Sequence, residues 1–217
     1  MTALIASPAA RPRAGSTAGG LRAKRAFDVT VTLLALLALW PVLALIALAV
    51  RINSRGPAFF VQTRIGQDGA RFGMVKFRSM YADAEALRAA LLATSDRDGL
   101  CFKMKDDPRV TPLGRFLRRS SLDELPQLFN VLWGDMSLVG PRPALPQEVA
   151  AYPEHAMGRL AVLPGITGVW QVSGRAEVSF DDMVAMDIAY ANRPTVAGDL
   201  AILARTVGVV LTGRGAY

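Results

Sequence analysis

From Ala26 to Val50 the chain is apolar almost without interruption, broken only by Asp28, Thr30, Thr32 and a Trp40-Pro41 pair. About 20 apolar residues in a helix cross the ~30 Å hydrocarbon layer of a bilayer, so this run is long enough to meet a membrane. It exceeds the hydrophobic region of a cleaved leader, usually about 7 to 15 residues, although Ala47-Leu48-Ala49 resembles a cleavage site. The flanks constrain how the segment sits. Arg22, Lys24 and Arg25 precede it and Arg51, Arg55 and Arg64 follow, so the excess of arginine and lysine expected on cytoplasmic flanks places both ends on one side. One straight span cannot satisfy that. A helix broken at Pro41 and returning to the leaflet it entered can, because proline removes a backbone hydrogen bond and clashes with the preceding turn. An ordinary spanning helix with a mild kink is the competing reading.

The remaining organisation is coarse. Residues 1–21 are mostly Ala, Gly, Ser, Pro and Arg without apolar periodicity and read as a disordered tail. Residues 22–52 hold the membrane helix, and 53–217 form one cytosolic domain with interfacial amphipathic helices. Two strand-like runs, Ala58–Ile65 and Arg71–Met80, flank Gly66-Gln67-Asp68-Gly69, whose Asp-Gly pair favours a hairpin. Strand alternation places Lys76 and Arg78 on one face, either solvated or part of an anion site. Tyr81 to about Ser95 has a helix-forming composition, and Asp96-Arg97-Asp98-Gly99 reads as a polar turn rather than a metal motif. Leu100–Met104 reads as a short strand. A basic helix with an apolar stripe of Leu113, Phe116 and Leu117 follows, then a turn-rich loop at Pro164–Gly168, a helix from about Ser179 and a last one from Val196 to Thr212. The expected fold class is α+β.

Chemistry concentrates between Arg115 and Pro143. Ser121 with Glu124 three residues on is a capping-box pattern, which predicts a helix start with Asp123 and Glu124 in its first turn; Pro126 is harmless there. Acidic residues in a first turn are common because they answer the helix dipole. The context is less ordinary. Arg115, Arg118 and Arg119 lie just upstream and Arg142 sits between Pro141 and Pro143, so at least four guanidinium groups flank a pair that needs one partner each. Excess arginine beside a helix start is a phosphate site, where a carboxylate can act as a nucleophile. If Glu124 reaches back to Ser121 as the capping partner, Asp123 is the one left to face a phosphate.

Composition narrows the chemistry further. The net charge of +7 implies an anionic partner: nucleic acid, an anionic membrane surface or a phosphorylated substrate. One cysteine, Cys101, excludes an internal disulfide and a CxxC site. One histidine, His155, expected at the surface, excludes the usual histidine zinc site and Ser-His machinery. Catalysis in such a chain runs on carboxylates, arginines and a hard, oxygen-liking metal.

Seven ordered stretches, KRAFD at 24–28, QTRIG at 62–66, KFRSM at 76–80, DPRVT at 107–111, SLDELPQL at 121–128, MSLVGPRP at 136–143 and PGITG at 164–168, resemble the bacterial sugar transferases, the monotopic phosphoglycosyl transferases of surface-glycan synthesis. The likeness runs from about residue 22 to 215, and the closing GRGAY is similar to the exopolysaccharide branch. It implies a re-entrant helix in the cytoplasmic leaflet of the bacterial inner membrane and a Mg²⁺-dependent transfer of a hexose phosphate, such as galactose or glucose phosphate, from a UDP-sugar to a polyprenyl phosphate. It further implies Asp123 as nucleophile and metal ligand, Glu124 as its dyad partner, and Arg118, Arg142 and Arg175 as phosphate or nucleotide contacts beside Lys76 and Arg78. It leaves a homo-oligomer open and implies no nucleic-acid partner. The Trp40-Pro41 pair departs from the Ser-Pro break of some members, and Asn192–Ala197 departs from their approach to the last helix. The alternative is a membrane-anchored binder of anionic lipid or nucleic acid, which has no need of a carboxylate pair among arginines and whose affinity falls steeply with salt.

Overall fold

The computed structural model describes residues 18–81, 84, 107–174 and 178–212. The tail up to residue 17, most of the expected helix after Tyr81, the Asp96–Gly99 turn, the Leu100–Met104 strand, Arg175 and residues 213–217 lie outside them.

Helix α1 (Ala18–Asn53) carries the apolar run. It begins four residues inside the expected tail and continues through Pro41, so any change of direction there is a bend within one helix rather than a chain break. One side of α1 belongs to the domain. Phe27, Val31, Ala35 and Leu36 pack on a core of Met74, Leu128, Val131, Met136, Leu138, Val139 and Ile202. Leu43, Ile46, Ala47 and Val50 pack with Phe77 and Leu117. Two of the polar interruptions follow the same side, whereas Thr30 is exposed: Thr32 is buried, Asp28 accepts from the Ser137 hydroxyl (2.8 Å) and the Leu138 N–H (3.3 Å), and Lys24 reaches buried Asp199. Arg25 donates to the carbonyls of Val131 and Leu132. The opposite side is apolar and uncovered, with Leu33, Leu34, Leu37, Trp40, Leu45, Leu48 and Ile52 each more than half exposed.

Strands β1 (Phe59–Ile65) and β2 (Arg71–Phe77) form the expected antiparallel hairpin, with Phe59 opposite Phe77 and Ile65 opposite Arg71. Asp68 (φ 54°) and Gly69 (φ 82°) take the left-handed conformations that the Asp-Gly pair tolerates. β2 stops at Phe77, three residues short of the expected end. Helix α2 (Pro112–Arg119) starts where Thr111 accepts from the Gly114 N–H at 2.9 Å, with proline in its first turn. Of its expected apolar stripe, Leu117 is buried but Phe116 is exposed, because the helix turns Arg118 inward and leaves Phe116 between outward Arg115 and Arg119.

Helix α3 (Gln127–Trp133) ends at Gly134 (φ 95°). Strand β3 (Ser137–Val139) then pairs in parallel with β4 (Gly165–Thr167), around the short helix α4 (Pro146–Ala150) and a 3₁₀ segment at Glu154–Ala161. The Pro164–Gly168 loop is thus partly a strand, too short to show alternation in sequence. Helix α5 (Phe180–Asn192) starts at Ser179, whose hydroxyl accepts from the Asp182 N–H, and α6 (Val196–Thr212) closes the described chain. His155 lies at the surface 3.6 Å from Asp181. The mixture of helices with two small sheets is the expected class.

Candidate active site

Asp123 and Glu124 do not open a regular helix. Ser121 is left-handed (φ 55°, ψ 15°), its hydroxyl makes no capping bond, and Leu122–Glu124 form a 3₁₀ turn before α3 starts behind Pro126. The expected capping box is therefore absent, and Glu124 is spent elsewhere. Its Oε1 accepts from Lys76 Nζ at 2.7 Å and from Arg142 Nη2 at 3.2 Å. Lys76 arrives from β2, and Arg142 from the turn between Pro141 and Pro143 after β3. One carboxylate thus gathers a cation from each side of the site.

Asp123 is 7% exposed, and its carboxylate has no hydrogen-bond or ion-pair partner among the described residues. Burial pushes its carboxyl up to about 6, with the Glu124 charge adding to that and Lys76, Arg118 and Arg142 opposing it. Burial also acts on Glu124, but Lys76 and Arg142 outweigh it and hold that carboxyl well below the usual range. The two adjacent acids are thereby set apart: Glu124 is a fixed anion that organises cations, and Asp123 is an unengaged carboxylate that still ionises near neutral pH. Burial lowers the Lys76 ammonium despite Glu124, while Glu124 raises the Arg142 guanidinium. Arg118 donates from Nε to the Ser79 hydroxyl at 2.9 Å and acts on Asp123 through its charge. Three cations face two carboxylates here, a surplus that suits an anionic substrate.

Arg78 goes elsewhere. Past the end of β2 it no longer follows the strand pleat, and its Nη2 donates to the carbonyl and hydroxyl of Ser54 just beyond α1. It fastens the exit of α1 to the hairpin rather than joining the carboxylates. Arg175 lies outside the described residues. Sequence reasoning missed Arg159, buried in the Glu154–Ala161 segment, which donates to Asp187 at 2.5 Å, to the Tyr152 hydroxyl at 2.8 Å and to the Arg142 carbonyl at 3.4 Å. No spacing announces it; only the packing of α5 against that segment brings it to the Pro-Arg-Pro turn.

The turn is rigid from both sides. Gly140 donates to the Thr167 carbonyl at 2.9 Å, Gly165 donates to the Pro141 carbonyl at 2.9 Å, and the flanking prolines fix their own φ. Arg142 is consequently aimed with little ordering cost. Arg142→Lys is expected to lower turnover about tenfold or more, since a point charge replaces a fork that can engage Glu124 and a phosphate together. An unchanged rate in steady-state assays would remove Arg142 from the site.

The donor set bears on Mg²⁺ as well. No group of three or more Asp, Glu, His or Cys side chains suited to a metal occurs among the described residues. Mg²⁺ is commonly held by one or two carboxylates with substrate phosphates and water, so the unengaged, hard oxygens of Asp123 fit it while Glu124 is occupied by its cations.

A carboxylate with no partner among the described residues thus lies beside three cations, on a domain that carries along one side a helix long and apolar enough to cross a membrane. The chain belongs to the bacterial sugar transferase family, whose model matches residues 20–213. It is 45% identical over 197 residues to a galactosyl transferase, CpsE, of Streptococcus agalactiae, covering 90% of this chain and 44% of that protein. It is 44% identical to an undecaprenyl-phosphate glucose phosphotransferase of Komagataeibacter xylinus, covering 89% of this chain and 37% of that one. It is also 40% identical to the exopolysaccharide production protein ExoY of Sinorhizobium fredii, covering 92% and 89%. The chain thus spans less than half the length of the first two relatives and nearly all of the third.

Proposed function

We propose that this chain is a phosphoglycosyl transferase that moves a hexose phosphate from a UDP-sugar to undecaprenyl phosphate, through a covalent intermediate on Asp123. The observation that carries the reading is the division between the carboxylates: Glu124 is consumed by Lys76 and Arg142, and Asp123 is left buried beside them without a partner among the described residues. In the first step an Asp123 carboxylate oxygen attacks the sugar-linked phosphorus. The bond from that phosphorus to the bridging oxygen breaks, and UMP leaves with the electron pair. In the second, an oxygen of the lipid phosphate attacks the same phosphorus, the acyl phosphate bond breaks, and Asp123 is released as a polyprenyl diphosphate sugar forms. Lys76, Arg118 and Arg142 offset the charge that keeps an anionic nucleophile from a diphosphate. Asp123 with substrate phosphate oxygens would hold Mg²⁺, which supplies further charge neutralisation to the diphosphate. The names of the relatives favour galactose or glucose as the sugar and undecaprenyl phosphate as the acceptor. Incubating the purified chain with undecaprenyl phosphate and a panel of labelled UDP-sugars tests the reading. Label entering the lipid fraction from one hexose is expected, and none from any sugar would contradict it.

The same reading seats the chain in one leaflet of the bacterial inner membrane, with the domain facing the cytoplasm. Both ends of α1 are fastened to one domain, and only residues 37–42 lie between the two packed stretches. That gap is about 9 Å of helix, far short of a ~30 Å hydrocarbon layer. The uncovered stripe from Leu33 to Ile52 is the surface offered to lipid. With Cys101 replaced by serine, cysteines placed at Ser16 and at Asp68 are both expected to resist an impermeant thiol reagent in intact spheroplasts. Labelling at Ser16 alone would show a spanning helix. The binder alternative fits less well, because Lys24, Arg25, Arg78 and Arg159 are bound to the protein's own carboxylates and carbonyls rather than arrayed on a face.

A further inference from the structure

We propose that Gln127 contacts the substrate, donating its carboxamide N–H to a non-bridging oxygen of the phosphoryl group transferred at Asp123; this rests on the reading above. Gln127 is the first residue of α3 and is 2% exposed. Its Nε2 is buried without a hydrogen-bond partner among the described residues. A buried donor left unpaired costs about 1–3 kcal/mol, so such a group asks for a reason. The neighbouring amide sharpens the contrast. Asn130, three residues on and fully buried, accepts from the Val75 N–H at 3.0 Å and donates to the Gly73 carbonyl at 2.8 Å and to Asp135 at 3.3 Å. The core therefore satisfies one α3 amide completely and leaves the other open.

The open one follows the reacting carboxylate by four residues. Two i to i+3 bonds, Glu124 N–H to the Ser121 carbonyl and Leu125 to Leu122, precede Pro126, and two more, Leu128 to Leu125 and Phe129 to Pro126, follow it, at 3.0–3.3 Å, while Leu125 and Pro126 both keep right-handed helical φ and ψ. At three to four residues per turn, Gln127 falls one turn beyond Glu124 and Asp123 on their side of the segment. Among the described residues, the other buried side-chain atoms without partners include Thr32 on α1, Arg78, whose guanidinium turns to Ser54, and Trp170 in a separate core cluster. Lys76 and Arg142 are engaged by Glu124, so a neutral donor whose N–H is uncommitted complements them without adding charge. A donor beside the nucleophile faces the phosphorus it attacks, which favours a phosphoryl oxygen over a hydroxyl on the sugar.

Gln127→Met keeps the length of the side chain and removes the donor. In detergent or nanodiscs the full-length variant is expected to melt at or above the temperature of the parent chain, because an unpaired buried group has been removed. Its rate of UMP release is expected to fall about tenfold to a hundredfold, chiefly in kcat, and by the same factor for UDP-galactose and UDP-glucose. A lower melting temperature, whatever the rate, would show that the amide has an internal partner and would overturn the proposal, as would an unchanged rate. A loss confined to one sugar would overturn the phosphoryl assignment and move the contact to a hydroxyl. A parent chain that releases no UMP from any UDP-sugar would overturn the underlying reading instead, a result visible before any variant is made.

Discussion

Asp123→Asn is expected to release no UMP and form no lipid-linked product, and yet to melt at a higher temperature than the parent chain. The loss of activity follows from chemistry: an amide cannot replace the attacking carboxylate, and the one histidine, His155, lies exposed against Asp181. The gain in stability follows from linkage. Burial raises the Asp123 carboxyl from its ordinary value of 3.8 to about 6, so the folded chain binds this proton more tightly than the unfolded chain does. The group favours the fold most below pH ~4; that contribution is lost as pH rises through about 6, and the deficit stays constant above. A shift of about two units corresponds to ~3 kcal/mol as an upper bound, or several degrees for a chain of this size. Without added divalent cation at pH 7.5, the asparagine variant should therefore melt higher, and its melting temperature should vary less between pH 4 and 6. A variant that is inactive but less stable would mean that the carboxylate is a structural anion, tied down by the arginines around it.

Gly165→Ala should abolish the proposed activity by a different route, through the backbone. A β-carbon at Gly165 would lie 2.0 Å from the Gly140 nitrogen and 2.6 Å from the Val139 carbonyl carbon, both main-chain atoms that no rotamer change can move. The β3–β4 pair would have to open, losing the bonds from Gly140 to Thr167 and from Gly165 to Pro141 that hold the Pro-Arg-Pro turn. Overpacking of this kind costs about 1–3 kcal/mol, and two strained or broken bonds add about 1 kcal/mol each. The expected result is a melting temperature lower by about 10 °C with turnover nearly abolished even in the folded fraction, since Arg142 loses its aim. Gly208→Ala in α6 is the control. Nothing lies within 4 Å of its β-carbon position, and alanine there should be neutral or stabilise by up to about 1 kcal/mol. Equal stability of the two alanine variants would refute the close approach of the two loops.

Where the chain's local chemistry determines local structure, the sequence is a good guide. The apolar run gives α1, Asp68-Gly69 gives the hairpin, Ser179 starts a helix, and the carboxylate pair does lie among the cations Lys76, Arg118 and Arg142. It misleads where one residue leaves its pattern. Ser121 takes a positive φ that nothing in Ser-Leu-Asp-Glu announces, and this single angle turns a predicted capping box into a 3₁₀ turn that frees Glu124 for Lys76. Alternation places Lys76 and Arg78 together, but β2 ends at Phe77, and one residue later the side-chain direction is no longer set by the pleat. Arg159, Lys24 with Asp199, and Gln127 are long-range or unpaired features; their meaning depends on what packs against them, which local spacing does not encode. The β3–β4 pair left one usable signal, the glycines of Val139-Gly140-Pro141 and Pro164-Gly165-Ile166, residues that let two backbones touch.

The two-step account is tested most directly by mass spectrometry of the chain after incubation with UDP-sugar and Mg²⁺ alone, before any lipid phosphate is added. The account predicts that UMP appears at this stage and that the peptide containing Asp123 carries one hexose phosphate, lost when undecaprenyl phosphate is supplied and absent from Asp123→Asn. UMP that appears only once lipid phosphate is present, with no adduct on that peptide, would contradict it and leave Asp123 as a metal ligand or base in a direct transfer.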